Sequence, residues 1–291
     1  MKTYRFVVAD MPFDCILPEG MEVQQVLPSF LPFLNEGTSE VPGFVLETVE
    51  SIEPMEGEAL LQEFQNDMGH VRLFGNGEAF RVELDYGNPE RDGHHVWMNK
   101  EASLAKASIN WHSPEVRVAL TSMLRIVFSQ RILAYQGFSI HASTVIKEEN
   151  GYLFLGKSGT GKSTHSRLWQ EVWPEVELLN DDNPIVRFVD GRAWVYGSPW
   201  SGKTPCYKQK RVPLKGIVRL RQAETNQWTW VQGVKAWATV YPSCAVIKEE
   251  IALYEKMRNT LNEVVEQVKV GLLDCLPDVK AAQMSEENLK K

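Results

Sequence analysis

From Gly156 to Ser163 the chain reads Gly-Lys-Ser-Gly-Thr-Gly-Lys-Ser, which fits the pattern G-x-x-x-x-G-K-[ST] at every fixed position. The chemistry such a loop performs is the holding of a phosphate. Glycines let the backbone curl until successive peptide N–H groups point inward at an anion. The helix that follows aims its positive end at the same place. Lys162 has the charge and reach for the outer phosphates, and Ser163 the hydroxyl for a magnesium ion. The expected cradle is Gly156, Lys157, Ser158, Gly159, Thr160, Gly161, Lys162, Ser163 and Thr164.

A phosphate cradle of this kind needs a carboxylate to hold the metal. Asp181 and Asp182 follow the apolar run Val176–Leu179. Adjacent carboxylates repel each other unless a cation or a proton lies between them. One can face the metal while the other takes a proton from an acceptor hydroxyl. Upstream, His141 stands in the run Phe-Ser-Ile-His-Ala-Ser-Thr-Val-Ile. It is either a hydrogen-bonded core residue or a group pointing across the sheet end toward the phosphates, as metal ligand or charge stabiliser. Downstream, Gly197–Pro205 is rich in residues that permit close backbone approach. There Lys203 could reach the γ-phosphate or an anionic substrate. Trp200 either stacks on a substrate and walls off water or packs on the core. Arg219 and Arg221 alternate on a strand and are candidates to line an acceptor site, whereas Arg167 reads as a surface residue.

These residues need strands and helices to place them. The apolar runs around His141 and Tyr152–Leu155 predict two neighbouring strands joined by the charged turn 147–150. The spacing predicts a helix over 162–173, a strand at Val176–Asn180, a hairpin around Asp190-Gly191, and a strand at Gly216–Gln222. A short helix near 234–241 and a long amphipathic one over about 246–270 follow. Ahead of this part, Ser113, Pro114 and Glu115 start a core helix over about 114–136. The first hundred residues read as short strands, with a hairpin around Gly75-Asn76-Gly77, a helix at 59–66, and His94-His95 in a polar turn. The polar tail from Ala281 onward is expected to fray. The predicted organisation is a β-rich region at 1–105 and a phosphate-binding α/β (α+β) domain at 106–291.

The 291 residues are 43% apolar and 24% charged, an ordinary soluble composition. A formal net charge of −7 argues against nucleic acid and anionic membranes as partners, although 203–211 carries a local basic run that is either a patch or a solvated loop. The four cysteines, Cys15, Cys206, Cys244 and Cys275, are too scattered for a zinc or disulfide framework and are expected as free thiols. With no signal-like leader and no membrane-length apolar run, the expected location is cytoplasmic.

The histidine, the loop and the acid pair, in this order, resemble the superfamily that joins HPr kinase/phosphorylase to phosphoenolpyruvate carboxykinase. Ile-His-Ala-Ser-Thr-Val is similar to the carboxykinase Met-His-Cys-Ser segment. Gly-Lys-Ser-Gly-Thr-Gly-Lys-Ser-Thr is close to its Gly-Leu-Ser-Gly-Thr-Gly-Lys-Thr-Thr, and Leu-Leu-Asn-Asp-Asp-Asn matches both branches. The overlap covers roughly 139–190; with Gly197–Pro205 added it most resembles bacterial HPr-kinase-like proteins. The resemblance implies a carboxykinase-like P-loop kinase domain with a mixed, strongly twisted sheet. It implies Lys162 at the β/γ-phosphates, Ser163 and Asp181 at the metal, Asp182 as base, and His141 at the transferred phosphate or a second metal. The chain departs from the kinase/phosphorylase branch in lacking its Leu-Glu-Ile-Arg-Gly-Leu-Gly segment, which puts HPr as acceptor, and the reverse reaction, in doubt. It is much shorter than a carboxykinase.

The expected function is an ATP- and magnesium-dependent kinase, with manganese as a substitute metal. The acceptor is a hydroxyl on a protein, peptide or small molecule. The alternative is a catalytically silent nucleotide-binding regulator or scaffold. The kinases of the branch form rings, so a homo-oligomer is open. No Asn-Lys-x-Asp signal points to a GTPase.

Overall fold

Alternating burial along short β-rich runs builds the N-terminal part. In the first strand Tyr4, Phe6 and Val8 are buried while Lys2 and Thr3 face solvent, the period-two pattern of a sheet with one covered face. The computed structural model describes the chain apart from residues 36, 38, 67, 88–92, 203 and 291. Contacts divide it into two units, Met1–Ile132 with Ile247–Tyr254, and Leu133–Val246 with Glu255–Lys291.

The first unit contains β1 (Lys2–Val8), β2 (Met11–Leu17), a helical turn α1 (Val23–Val26), β3 (Phe44–Val49), β4 (Ala59–Asn66), β5 (Gly69–Gly75), β6 (Ala79–Asp85), β7 (His94–Asn99), β8 (Leu104–Ser108) and helix α2 (Val116–Arg131). Its strands form one mixed sheet in the order β1-β2-β3-β8-β7-β6-β5-β4. Helix α2 packs on β3, β7 and β8 through the fully buried Ala119, Leu120, Met123, Leu124, Val127 and Phe128. At its foot Phe13 stacks on Phe44 with ring centroids 4.6 Å apart, and Phe128 meets Phe13 edge-on at 6.0 Å. The expected boundary at 105/106 therefore falls inside this unit, because the apolar stripe of α2 covers the N-terminal sheet.

Two readings of this region are corrected. Residues 59–66, expected as a helix, form β4, paired with β5 from Ala59–Gly75 to Asn66–Gly69. The pairing partner, invisible locally, overrides weak propensity. His94 and His95 lie in β7, not in a turn, and His94 is fully buried with its ring 5.9 Å from that of Tyr86.

The second unit contains β9 (Gly137–Ser139), β10 (Ala142–Lys147), β11 (Asn150–Leu155), α3 (Lys162–Val172), β12 (Glu177–Asp182), β13 (Ile185–Val189), β14 (Arg192–Tyr196), β15 (Arg211–Gln222), β16 (Gln227–Val231), α4 (Val234–Val240), most of α5 (Ile251–Gln267), β17 (Lys269–Cys275) and α6 (Val279–Lys290). The mixed sheet runs β12-β10-β11-β15-β14-β13-β9, with β17 beside β15 and β16 beyond it. The twelve-residue β15 is the turning point. Its first residues pair with β14, and from Leu214 onward it runs parallel to β11 and β17. No described helix is long and apolar enough to cross a membrane.

One face of the sheet is covered by α3 and α6. Phe154, Val218, Leu220 and Leu273 from the strands pack with Trp169, Ala281, Ala282 and Leu289. The tail expected to fray is thus helix α6. Its small residues let it approach α3 closely, and Ser285 receives hydrogen bonds from Trp169 Nε1 and His165 Nε2, both 3.0 Å, while donating to Ala282 O. Burial pushes the His165 imidazole down to about 3, so it stays neutral in this role. Beside it, Lys147 and Glu286 pair, their side chains 4% and 7% exposed, and Lys290 closes on Glu286 at 2.6 Å. Lys147 also lies 4.0 Å above the Trp173 ring.

Removing Glu286 would leave a buried ammonium without its partner. Glu286→Ala is expected to destabilise the chain by about 3 kcal/mol, read from denaturant unfolding; a loss under about 0.5 kcal/mol would mean that α6 contributes little. Burial opposes ionisation of Glu286, but hydrogen bonds from Lys147 and Lys290 outweigh it and hold the carboxyl below its ordinary 4.5. Its contribution is therefore complete above pH 4.5 and fades as pH falls through the lowered value.

Candidate functional site

Gly156–Thr164 links the end of β11 to the start of α3. Gly159 and Gly161 hold φ of 78° and 107°, a left-handed backbone that a side chain would strain, and Gly161 is the N-cap of α3. A Cβ on Gly156 would lie 3.0 Å from Thr160. Lys157, Ser158, Gly159 and Ser163 are exposed and Gly156 and Lys162 are buried, with Thr160, Gly161 and Thr164 between. The loop opens to solvent at its tip and closes over the ammonium at its base.

Sheet register sets what meets the loop. Ala142 pairs with Leu155 of β11 and with Asp182 of β12, and Leu155 pairs with Arg219 of β15. His141 directly precedes this row. Four strands thus bring their chemistry-bearing ends to one edge, where β10 runs antiparallel to its neighbours. Residues in one row share a face. The next row holds Ser143, Phe154 and Asp181, which face α3: Ser143 Oγ lies 2.6 Å from Ser166 Oγ, and Asp181 Oδ1 accepts from Ser163 Oγ at 2.9 Å. Period two therefore sends the two aspartates to opposite faces.

Lys162 turns its ammonium back under the loop. It donates to Gly156 O at 3.1 Å, Lys157 O at 3.4 Å and His141 Nε2 at 2.7 Å. The other ring nitrogen of His141 lies 3.2 Å from Asp182 Oδ1. An ammonium only donates, so Nε2 accepts and Nδ1 carries the proton toward Asp182. Burial pulls Lys162 below its ordinary 10.5, opposed by Asp182 and Asp181 and assisted by the positive Arg219. The His141 side chain remains 42% exposed, so a ligand has access. Its backbone N–H is fixed by Ser243 O at 2.8 Å.

The 197–202 segment is tied to the acid pair by a buried polar cluster. Asn180 Nδ2 donates to Trp200 O at 3.0 Å and Ser198 Oγ at 3.2 Å, and its Oδ1 accepts the Asn183 N–H at 2.9 Å. Gly202 N donates to Asp181 O at 2.6 Å, and a Cβ on Gly202 would crowd that same oxygen at 3.0 Å. Trp200 is only 3% exposed, so of its two readings the structure shows the packed one. Lys203 lies outside the described residues.

The structure thus brings together Lys162, Ser163, His141, Asp181 and Asp182. Among the described residues, no three His, Cys, Asp or Glu side chains are grouped to hold a metal, so His141 and the two aspartates do not make a cage by themselves. Arg167 is exposed, as expected. Arg221 pairs with Asp274 at 2.6 Å. Arg219 donates to Thr239 O at 2.6 Å and Ser243 Oγ at 2.8 Å. Two positions were not foreseen. Asn180 had a faint signal, as an amide in an apolar strand just before the acids, whereas Ser243, a hundred residues from His141, had none.

No protein-family model and no curated protein matches the chain. Among solved structures, the chain is similar to the HPr(Ser) kinase/phosphatase from Coxiella burnetii, at 11% identity and a TM-score of 0.32, over 52% of this chain and 97% of that one.

Proposed function

We propose that the chain is a phosphotransferase that moves the terminal phosphoryl group of ATP to a hydroxyl on a protein, peptide or small molecule, as its HPr-kinase-like motifs imply. One observation carries the reading: the continuous contact from Lys162 through His141 to Asp182 at the base of a P-loop. A cation for the phosphates, a neutral imidazole and a carboxylate for the acceptor proton stand in sequence.

In this reading the loop amides and the α3 N-terminus hold the phosphates. Lys162 exchanges its loop carbonyls for phosphate oxygens. The Ser163 hydroxyl and Asp181 carboxylate offer two hard oxygens 2.9 Å apart, which suits an ion that keeps its waters and takes phosphate oxygens as further ligands. Ser163 and Asp181 would hold magnesium, or manganese, which when bound neutralises charge between the phosphates. Asp182 accepts the hydroxyl proton while the acceptor oxygen bonds to phosphorus and the bond to the ADP oxygen breaks. His141, donating from Nδ1, holds the Asp182 carboxylate in place.

Asp182→Asn is expected to lower phosphoryl transfer about 10²- to 10⁴-fold while nucleotide affinity changes little. Labelled ATP, magnesium and cell extract supply the transfer assay, and a fluorescent nucleotide supplies the affinity. Full transfer in the variant would rule out Asp182 as base. A wild-type chain that binds nucleotide yet labels no acceptor would instead be the silent regulator.

Lys162→Met separates binding from stability. Because burial depresses the folded-state value of Lys162, its charged form opposes folding. In the window between that value and 10.5 the unfolded chain binds more protons, so stability rises with pH there. The nucleotide-free variant is therefore expected to melt at or above the wild-type temperature. Only the wild type should gain on adding Mg·ATP, by about 2.7 kcal/mol at a hundredfold excess over Kd, and that gain should shrink as pH climbs through the depressed value. Equal protection of both proteins would remove Lys162 from the nucleotide site.

A further inference from the structure

Arg219 is the charged member of the strand-end row that the proposed reaction leaves unused. Its guanidinium is half-buried, and its hydrogen bonds go to neutral oxygens, Thr239 O and Ser243 Oγ. Among the described residues no carboxylate pairs with it. Burial without a counter-charge lowers its pKa. Closing the end of α4 is a sufficient structural duty for one edge of the guanidinium, but it supplies no negative charge.

Three observations place this cation in the same site as His141. Arg219 sits beside Leu155, the last residue before the loop. Its electrostatic repulsion is felt at Lys162. Its side chain turns toward Ser243, whose carbonyl fixes the His141 backbone. The row also fixes the face. Arg219 and Asp182 project to the face opposite α3, whereas Asp181, Ser163 and the α3 N-terminus lie on the other. Backbone separation across the three strand spacings from Asp182 to Arg219 is about 14 Å; Asp182 turns to His141, and Arg219 to Ser243.

We propose that Arg219 reads an anionic group carried by the phosphoryl acceptor, so that the acceptor is a hydroxyl compound bearing its own carboxylate or phosphate and not a neutral alcohol. This rests on the phosphotransferase reading of the site. Asp182 takes the hydroxyl end and Arg219 the charged end, on the face that the nucleotide phosphates do not occupy. An arginine suits this task because its planar fork matches an oxyanion and it stays charged when half-buried.

The test uses sulfate as the probe anion on the full chain saturated with Mg·AMP-PNP, so that the loop is already filled. The Arg219 Nε–H resonance, assigned by its loss in Arg219→Lys, should shift saturably with sulfate and not with chloride at matched ionic strength. Arg219→Lys should weaken sulfate about tenfold and Arg219→Ala should abolish its binding, both with Mg·AMP-PNP affinity within about threefold of wild type. Absence of a sulfate-dependent shift, or sulfate binding to Arg219→Ala as tight as to wild type, overturns the proposal. So does a nucleotide defect in Arg219→Lys as deep as that of Lys162→Met, which would assign Arg219 to the phosphates. Should Arg219→Ala not fold, the resonance and the lysine variant decide. Failure of wild type to bind Mg·AMP-PNP would instead sink the phosphotransferase reading, and is read out separately.

Discussion

The pairing of Ala142 with Leu155 on one side and Asp182 on the other is the constraint on which the site depends. It makes β10 the hinge strand of the edge: antiparallel to both neighbours, it starts where they end. His141 therefore sits between the loop that leaves β11 and the acids that close β12. A slip of one residue in either pairing would send Asp182 to the α3 face and Asp181 away from Ser163. Buried side chains on both faces, Phe154 and Trp169 on one and Ile217 and Leu155 on the other, make such a slip unfavourable. The hydrophobic core thus fixes the geometry of the polar site through the register alone.

That register also explains why two adjacent acids are tolerated. Side by side on one surface they would repel. Alternation places Asp181 with Ser163 and Asp182 with His141, each with its own donor. Asn180 stabilises the arrangement from behind, tying the strand to the 197–202 segment with a fully buried amide. Such an amide is expensive to leave unsatisfied, so the loop that satisfies it is held in one conformation next to the acids.

Much of this was legible in the chain. The loop, the strand before it and the helix after it follow from glycine spacing and apolar periodicity, and the acid pair announced itself at a strand end. The helix at 116–131 and the hairpins around Gly75–Gly77 and Asp190-Gly191 were equally local. What could not be read depends on partners distant in sequence. Residues 59–66 become a strand only because β5 is beside them, and 279–290 become a docked helix because Ser285 finds His165 and Trp169. The polar letters of that tail hid a stripe of Ala281, Ala282, Ser285 and Leu289 that the sheet alone makes meaningful. Of Arg219 and Arg221, two residues apart on one strand, only the tertiary fold decides that one closes on Asp274 and the other on the 239–243 segment.

The two cations of the site meet burial differently, and the difference follows from their chemistry. Lys162 can shed a proton, and its three donors already have the loop carbonyls and the His141 ring to lean on. Arg219 keeps its charge under any condition a folded chain survives. The carbonyl of Thr239 and the hydroxyl of Ser243 accept from two of its five N–H donors and supply no charge; the negative end of a seven-residue helix such as α4 amounts to a fraction of a charge. A half-buried guanidinium so placed raises the energy of the empty site and lowers that of any site holding an anion. The same argument applied to Lys162 leads, in the proposed reaction, to the nucleotide phosphates; applied to Arg219 it leads to the opposite face of the sheet, where the proposal sets an acceptor beside Asp182.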